Sequence, residues 1–342
     1  MKTIIPILAA VLAAGTIVVS ATAQGGTLDD VRKRGYLQCG TSTGLAGFSA
    51  PDDKGVWRGI DIDWCHALAA AVLGDRDKIK IKNLTGKTNY TSLRSGAIDI
   101  LSRTATWTFS RDTDLQLTFV GTYFYDGQGF IVPADLGVKS AKELDGASVC
   151  ATTGSTSELN VADFFRANNI SYEPVPMESY TEARAAYLAK RCDAFSTDGS
   201  GLAVMRASMN DPSAHVILPE VISKEPLSLV VRQGDDQWAD IARWTLNLVI
   251  AAEEMGITSR NVREMRDKAT NPEIRRMLGA DRLQGLESLG LGTDWAVNVI
   301  EQVGNYGEIY ARNIGPGTPL NIERGLNRQW KDGGLIYSRP FR

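Results

Sequence analysis

The sequence predicts an α/β fold built on parallel sheets, and three observations carry that prediction. Apolar strand-like runs alternate with helical patterns along most of the chain. A unit of helix end, turn, aspartate, strand and hydroxyl residue occurs twice, at residues 93–102 and 188–196. The length of 342 residues, with 43% hydrophobic and 23% charged, suits two domains or one domain interrupted by another.

The elements follow in order. Thr27-Leu28-Asp29-Asp30 opens a short helix that Thr27 is expected to cap. A strand is expected over 36–41. Residues 44–55 are rich in Gly, Ser, Pro and Asp and form a loop. After Gly59-Ile60-Asp61-Ile62-Asp63, the residues Cys65, Leu68, Ala69 and Val72 recur at helical spacing. Residues 79–84 alternate like a strand, and a helix around 90–94 leads to a buried strand at 98–102. The pattern restarts after Gly121: strand 149–152, helix from Gly154-Ser155 to 167, helix 180–189 and strand 193–197. One long amphipathic helix covers 237–254. The remainder is mostly helical, with Gly-rich breaks near 285–292 and 315–317.

The N-terminus has its own signature. Lys2 precedes a nearly unbroken apolar run from Ile4 to Val19, and Ala21-Thr22-Ala23 is a small-x-small cleavage pattern. This reads as a secretory signal peptide over 1–23 rather than a membrane anchor, because the run is short and ends at a cleavage site. The mature chain is expected to be free outside the cytoplasm. A net charge of −3 without any long Lys/Arg block excludes an electrostatic nucleic-acid footprint. Export makes disulfides feasible among Cys39, Cys65, Cys150 and Cys192, whose spacings match no zinc pattern, and three pairings are open.

In parallel α/β sheets, ligands sit at the carboxyl ends of strands. Three segments fall there. Ser102-Arg103-Thr104-Ala105-Thr106-Trp107, with Arg111 after it, offers hydroxyls and a planar guanidinium suited to a carboxylate. The alternative is a solvated turn in which Arg111 pairs with Asp112 or Asp114. Thr152-Thr153-Gly154-Ser155-Thr156-Ser157-Glu158 turns into a helix whose N–H groups suit an anion, and Ser155 and Glu158 have capping-box spacing. The alternative is a plain cap. In Ser196-Thr197-Asp198-Gly199-Ser200, Asp198 either receives an ammonium group or caps the following helix. Arginine and N–H donors with a carboxylate match a free amino acid, which carries both charges.

These residues resemble a known family, the polar amino-acid-binding proteins of ABC uptake systems. Gly59-Ile60-Asp61-Ile62-Asp63 followed by Leu68-Ala69 is similar to the family signature. The likeness is nearest to the general L-amino-acid-binding branch. It is carried by the stretches 39–44, 48–55, Leu101-Ser102-Arg103, 106–108, 110–113, 125–130, Ile222-Ser223-Lys224-Glu225-Pro226-Leu227 and 303–308, which span essentially the whole mature chain.

The resemblance implies a two-lobe periplasmic-binding-protein fold with two hinge crossovers and a helical C-terminal extension. Lobe 1 comprises 24–127 and 229–342, and lobe 2 comprises 128–228. By position, Arg111, Thr106 and Thr156 (after Gly154 and Ser155) meet the ligand carboxylate. Asp198 receives the ammonium, with Thr104 as a polar contact at that end. Thr104 stands where the nearest branch commonly has asparagine. Arg103 stands where narrower relatives have a small residue, and is expected to meet an acidic or amide side chain, the alternative being a structural role. Phe48, Tyr90 and Trp107 are candidate pocket walls, the alternative being a place in the core. Leu45 replaces an aromatic ring common in relatives. Ser42 replaces the aspartate of relatives specialised for basic side chains, which argues against such a specialist. The fold implies Cys39–Cys65 and Cys150–Cys192 bridges, one per lobe, since a bridge between lobes would obstruct closure.

The function so implied is capture of free L-amino acids, over a broad range with a possible preference for Glu, Gln, Asp and Asn, and delivery to an ABC-type permease of the inner membrane. A monomer is expected, without cofactor, metal or nucleic-acid partner. The rivals are a dehydratase on the same scaffold and an amino-acid sensor module. A dehydratase needs a further acid or base in the cleft, and the only histidines, His66 and His215, lie outside the three strand-end segments.

Overall fold

The computed structural model describes residues 25–342, so the expected signal segment lies outside the described residues. Two five-stranded sheets organise the chain. In the first, strand Leu37–Thr41 lies between Ile79–Asn83 and Ile100–Thr106, all parallel. Strand Glu225–Arg232 then runs antiparallel between Ile100–Thr106 and Leu117–Asp126. In the second, Ala147–Thr152 lies between Tyr172–Met177 and Ala194–Asp198, again parallel. There the antiparallel neighbours are Gln128–Pro133 and His215–Ile217. The repeated unit seen in the sequence thus reflects two sheets of like order, each with its first parallel strand in the middle. The chain passes between the sheets twice, around Gly127 and between Ile217 and Glu225.

Most expected elements form within a residue or two of their predicted ends. The Gly59–Asp63 stretch is the entry and first turn of helix Ile60–Leu73. Its Gly59 lies at φ 129°, and a Cβ there would stand 2.1 Å from the Phe48 carbonyl oxygen, so only glycine fits this close approach. The first helix departs from expectation. Gly26, not Thr27, is its N-cap, and the Thr27 N–H donates to Asp235 Oδ2 at 2.7 Å instead. The loop at 44–55 includes the first strand of a small hairpin, Ala50–Pro51 against Trp57–Arg58.

Both disulfides join a strand to a neighbouring segment of the same sheet unit. Cys39 pairs with Cys65 at a Cα separation of 6.1 Å, and Cys150 with Cys192 at 5.8 Å.

The C-terminal region is helical and packs on the first sheet unit. Helix Asp236–Glu254 places Trp238 under the sheet, where its indole N–H donates to the Asp99 carbonyl at 2.9 Å. Helix Trp295–Val303 packs along Ile60–Leu73. Helix Tyr306–Asn313 carries a capping box formed by Asn305 and Glu308. Beyond it, Asn327 grips Tyr125 through both main-chain groups, at 2.7 and 3.0 Å. The extension therefore braces the strand that leads into the first passage between sheets. Among the described residues, no helix is long and apolar enough to cross a membrane.

Candidate functional site

The carboxyl ends of strands from both sheets face one cleft. It encloses about 720 Å³ of space, its open mouth included. Nine of the eleven residues singled out in the sequence line it: Tyr90, Arg103, Thr104, Thr106, Arg111, Gly154, Ser155, Thr156 and Asp198.

Arg111 sits in a short helix opened by Thr108, whose hydroxyl accepts from the Arg111 N–H. Its Nη1 donates to the Thr106 carbonyl at 3.0 Å, and its guanidinium lies 5.3 Å from the Tyr90 ring centroid. These two contacts, rather than a pairing with Asp112 or Asp114, orient the fork, and the remaining N–H groups are left for a ligand. Arg103 donates from Nε to the Leu84 carbonyl at 2.9 Å, which anchors its base. Burial pulls its guanidinium pKa down, while Tyr90, Asp61 and Asp198 counter that effect.

Across the cleft, helix Thr156–Ala167 presents its N-terminus. Ser155 is the N-cap and accepts from the Glu158 N–H, whereas the Glu158 carboxylate reaches the Gly154 N–H at 3.0 Å. The reciprocal half of the predicted capping box is thus displaced by one residue. The first-turn N–H groups of Thr156 and Ser157 lack partners within the helix and suit an anion.

Asp198 is the N-cap residue of helix Gly199–Ala207, yet its side chain makes no capping hydrogen bond. The plain-cap reading therefore fails. Burial, with Asp126 and Glu225 nearby, raises its carboxyl pKa well above the usual range, although Arg111 and Arg103 oppose this. Asp126 is raised as well, chiefly by burial. A cationic group entering the cleft would be held by this acidic end, while an anion would be held by Arg111 and the helix N-terminus.

Glu225 has no role that the sequence alone assigns, although it lies in the stretch 222–227 that resembles the family. It is 1% exposed and begins the strand that returns to the first sheet. Its Oε2 accepts from the Thr106 and Thr156 hydroxyls, and its Oε1 accepts from Asn160 Nδ2 at 2.8 Å and Ser223 Oγ at 2.6 Å. The Thr106 and Thr156 hydroxyl protons are thereby spent on Glu225. Toward the cleft these oxygens offer lone pairs, and Thr156 offers its N–H.

Two expectations are corrected. Phe48 is fully buried and meets Phe124 edge-to-face at 5.4 Å, so it belongs to the core and not to the cleft. Trp107, just past the end of strand Ile100–Thr106, stacks on Phe119 at 5.5 Å and does not line the cleft. The walls include Ser42, Leu45, Ala105 and Tyr180 instead. Tyr180 is fixed by donation from its hydroxyl to the Gly201 carbonyl at 3.0 Å. The two sides also touch at the rim, where Gly86 and Gly154 meet main chain to main chain and Lys87 pairs with Glu178.

The family model for bacterial extracellular solute-binding proteins, family 3, matches residues 37–261. The chain is 53% identical to the general L-amino acid-binding periplasmic protein AapJ of Rhizobium johnstonii, over 98% of this chain and 97% of the relative. It is 52% identical to the glutamate/glutamine/aspartate/asparagine-binding protein BztA of Rhodobacter capsulatus, over 95% and 96%. Among solved structures, an ABC transporter periplasmic binding protein from Brucella ovis with glutathione bound is 53% identical. It superposes with a TM-score of 0.90, covering 93% of this chain and all of that one.

Proposed function

The chain belongs to the bacterial extracellular solute-binding proteins of family 3, and from that premise we propose that it captures free L-amino acids between two lobes and delivers them to an ABC-type permease. One observation carries the reading. A single cleft holds Arg111 and a helix N-terminus on one account and an uncapped, buried Asp198 on the other. That is the charge pattern of an α-carboxylate and an α-ammonium held together.

In this reading Arg111 and the Thr156 and Ser157 N–H groups take the carboxylate, and Asp198 takes the ammonium. Lobe 1 is 24–127 with 229–342, and lobe 2 is 128–228. The protein acts as a periplasmic monomer after loss of residues 1–23. Two guanidinium groups in one cleft favour acidic and amide side chains, with Arg103 as the selector, which accords with the specificity in the name of the Rhodobacter relative. Glutathione, the ligand of the Brucella structure, carries the same α-amino and α-carboxyl head on its γ-glutamyl residue, so it belongs in the test.

The test is a thermal-shift panel on protein unfolded and refolded to strip carried-over ligand. It includes the common L-amino acids, several D-forms, sugars as controls, and thiol-blocked glutathione to spare the disulfides. A ligand at about 100 times its Kd stabilises by about 2.7 kcal/mol, a shift of several degrees. Shifts with many L-amino acids support a general binder, and shifts confined to Glu, Gln, Asp and Asn support selection by Arg103. No shift with any amino acid refutes the proposal.

A further inference from the structure

Thr104 lines the cleft with its backbone at φ +45°. A β-branched residue is rarely found in this left-handed region, and it persists there only where the surroundings impose it. The sheet shows the disturbance. Along Glu225–Arg232, Ser228 faces Ala105 but Val230 faces Leu101, so Ser102, Arg103 and Thr104 bulge out of that ladder. Bulges re-aim side chains, and this one turns Arg103 and Thr104 into the cleft.

The Thr104 N–H donates to the Tyr123 hydroxyl at 3.0 Å, and that hydroxyl donates its proton to Asp61 Oδ1. An ionised carboxylate can only accept, so Asp61 fixes the direction of the tyrosine proton and leaves the phenol oxygen free to accept from Thr104. Both side chains are wholly buried, and neither lines the cleft. Tyr123 is held in turn by Tyr306, whose hydroxyl donates to its carbonyl at 2.9 Å. The second carboxylate oxygen of Asp61 has no partner among the described residues. Withdrawing a carboxylate from water is costly, and burial pushes this one up to about 6. So expensive a group, joined to the site through one tyrosine, needs a use.

We propose that Asp61, acting through Tyr123, is a positioning residue that holds the Thr104 backbone in its left-handed conformation and so aims Arg103 and Thr104 at the ligand. The inference rests on the amino-acid-binding reading for its ligand, and on the bulge for its mechanism.

The test is a double-mutant cycle read by calorimetric titration of L-glutamate and L-glutamine. Tyr123→Phe removes both hydrogen bonds and is expected to weaken binding about tenfold or more. In a Thr104→Gly background the same change is expected to cost less than about threefold, because glycine adopts positive φ without strain. Equal losses in both backgrounds, or no loss in the Thr104 protein, overturn the proposal. Amide exchange at Thr104 in the unaltered protein covers the case in which Tyr123→Phe does not fold. Protection of that amide is expected, and exchange as fast as in exposed loops overturns the proposal. If the unaltered protein binds no amino acid, it is the functional reading that fails, and the Thr104 amide alone then decides the strut.

Discussion

Thr106 Oγ1 and Thr156 Oγ1 lie 3.4 Å apart across the cleft, one beside each sheet, and both donate to the same oxygen of Glu225. The two halves of the site are thus registered against each other by one buried carboxylate at a passage between sheets. Glu225→Ala would remove the shared acceptor of four hydroxyl and amide donors, the buried Thr106 and the half-buried Thr156, Asn160 and Ser223, and an unpaired buried donor costs about 1–3 kcal/mol. We expect urea unfolding to show a loss of about 2–4 kcal/mol for Glu225→Ala, and a smaller loss for Glu225→Gln, which keeps one acceptor. An alanine variant within about 0.5 kcal/mol of the unaltered protein would contradict this role.

Contact at the rim makes a different prediction. A Cβ on Gly86 would stand 2.7 Å from the Thr153 carbonyl oxygen across the cleft. Gly86→Val should hold the two sides apart while leaving each core untouched. Small-angle scattering with saturating ligand should give a larger radius than for the unaltered protein, and affinity should fall at least about tenfold. Unchanged scattering and affinity would show that closure does not bring Gly86 against the second lobe.

The charged pair at the heart of the site can be removed one end at a time. Truncating one partner of a buried charge pair costs about 2–5 kcal/mol, or at least about thirtyfold in Kd. Arg111→Ala and Asp198→Ala should each show that loss in calorimetric titration, with circular dichroism unchanged. Affinity retained in either variant would remove that residue from the ligand-binding set.

Binding should also depend on pH with a definite sign. Burial, with Asp126 and Glu225 close by, makes Asp198 keep its proton to a higher pH than an ordinary carboxyl. An arriving ammonium needs the ionised form, so binding expels that proton wherever the empty site still holds it. Affinity should therefore rise with pH from about 5 until the empty-site pKa is passed, and then level off. Titrations in two buffers of different ionisation enthalpy should report proton release at the low end. Flat affinity without proton release would contradict the placement of the ammonium at Asp198.

Much of this site was legible in the sequence, because its parts are local. Threonine, serine, arginine and aspartate residues at or just after the ends of apolar strands are visible in three short stretches, and seven of them (Arg103, Thr104, Thr106, Arg111, Ser155, Thr156 and Asp198) meet in the cleft. What remained hidden depends on distant partners. Glu225 acts on Thr106, 119 residues away, and Asn327 on Tyr125, 202 residues away. No local pattern separates Phe48 in the core from an aromatic ring on a pocket wall. The positive φ of Thr104 was equally silent, since threonine is among the residues least expected there. The disulfide pairs followed from the fold implied by resemblance, as cysteine spacing alone left three pairings open.

The central claim is that both charged ends of one small molecule are gripped at once. Its most direct test is calorimetric titration of the ligand-stripped protein with L-glutamine, N-acetyl-L-glutamine and L-glutamine amide. Acetylation removes the ammonium and amidation removes the carboxylate, while the side chain stays the same. L-glutamine is expected to bind, and each blocked form to lose at least about thirtyfold in affinity. A blocked form that binds as well as the free amino acid would contradict it.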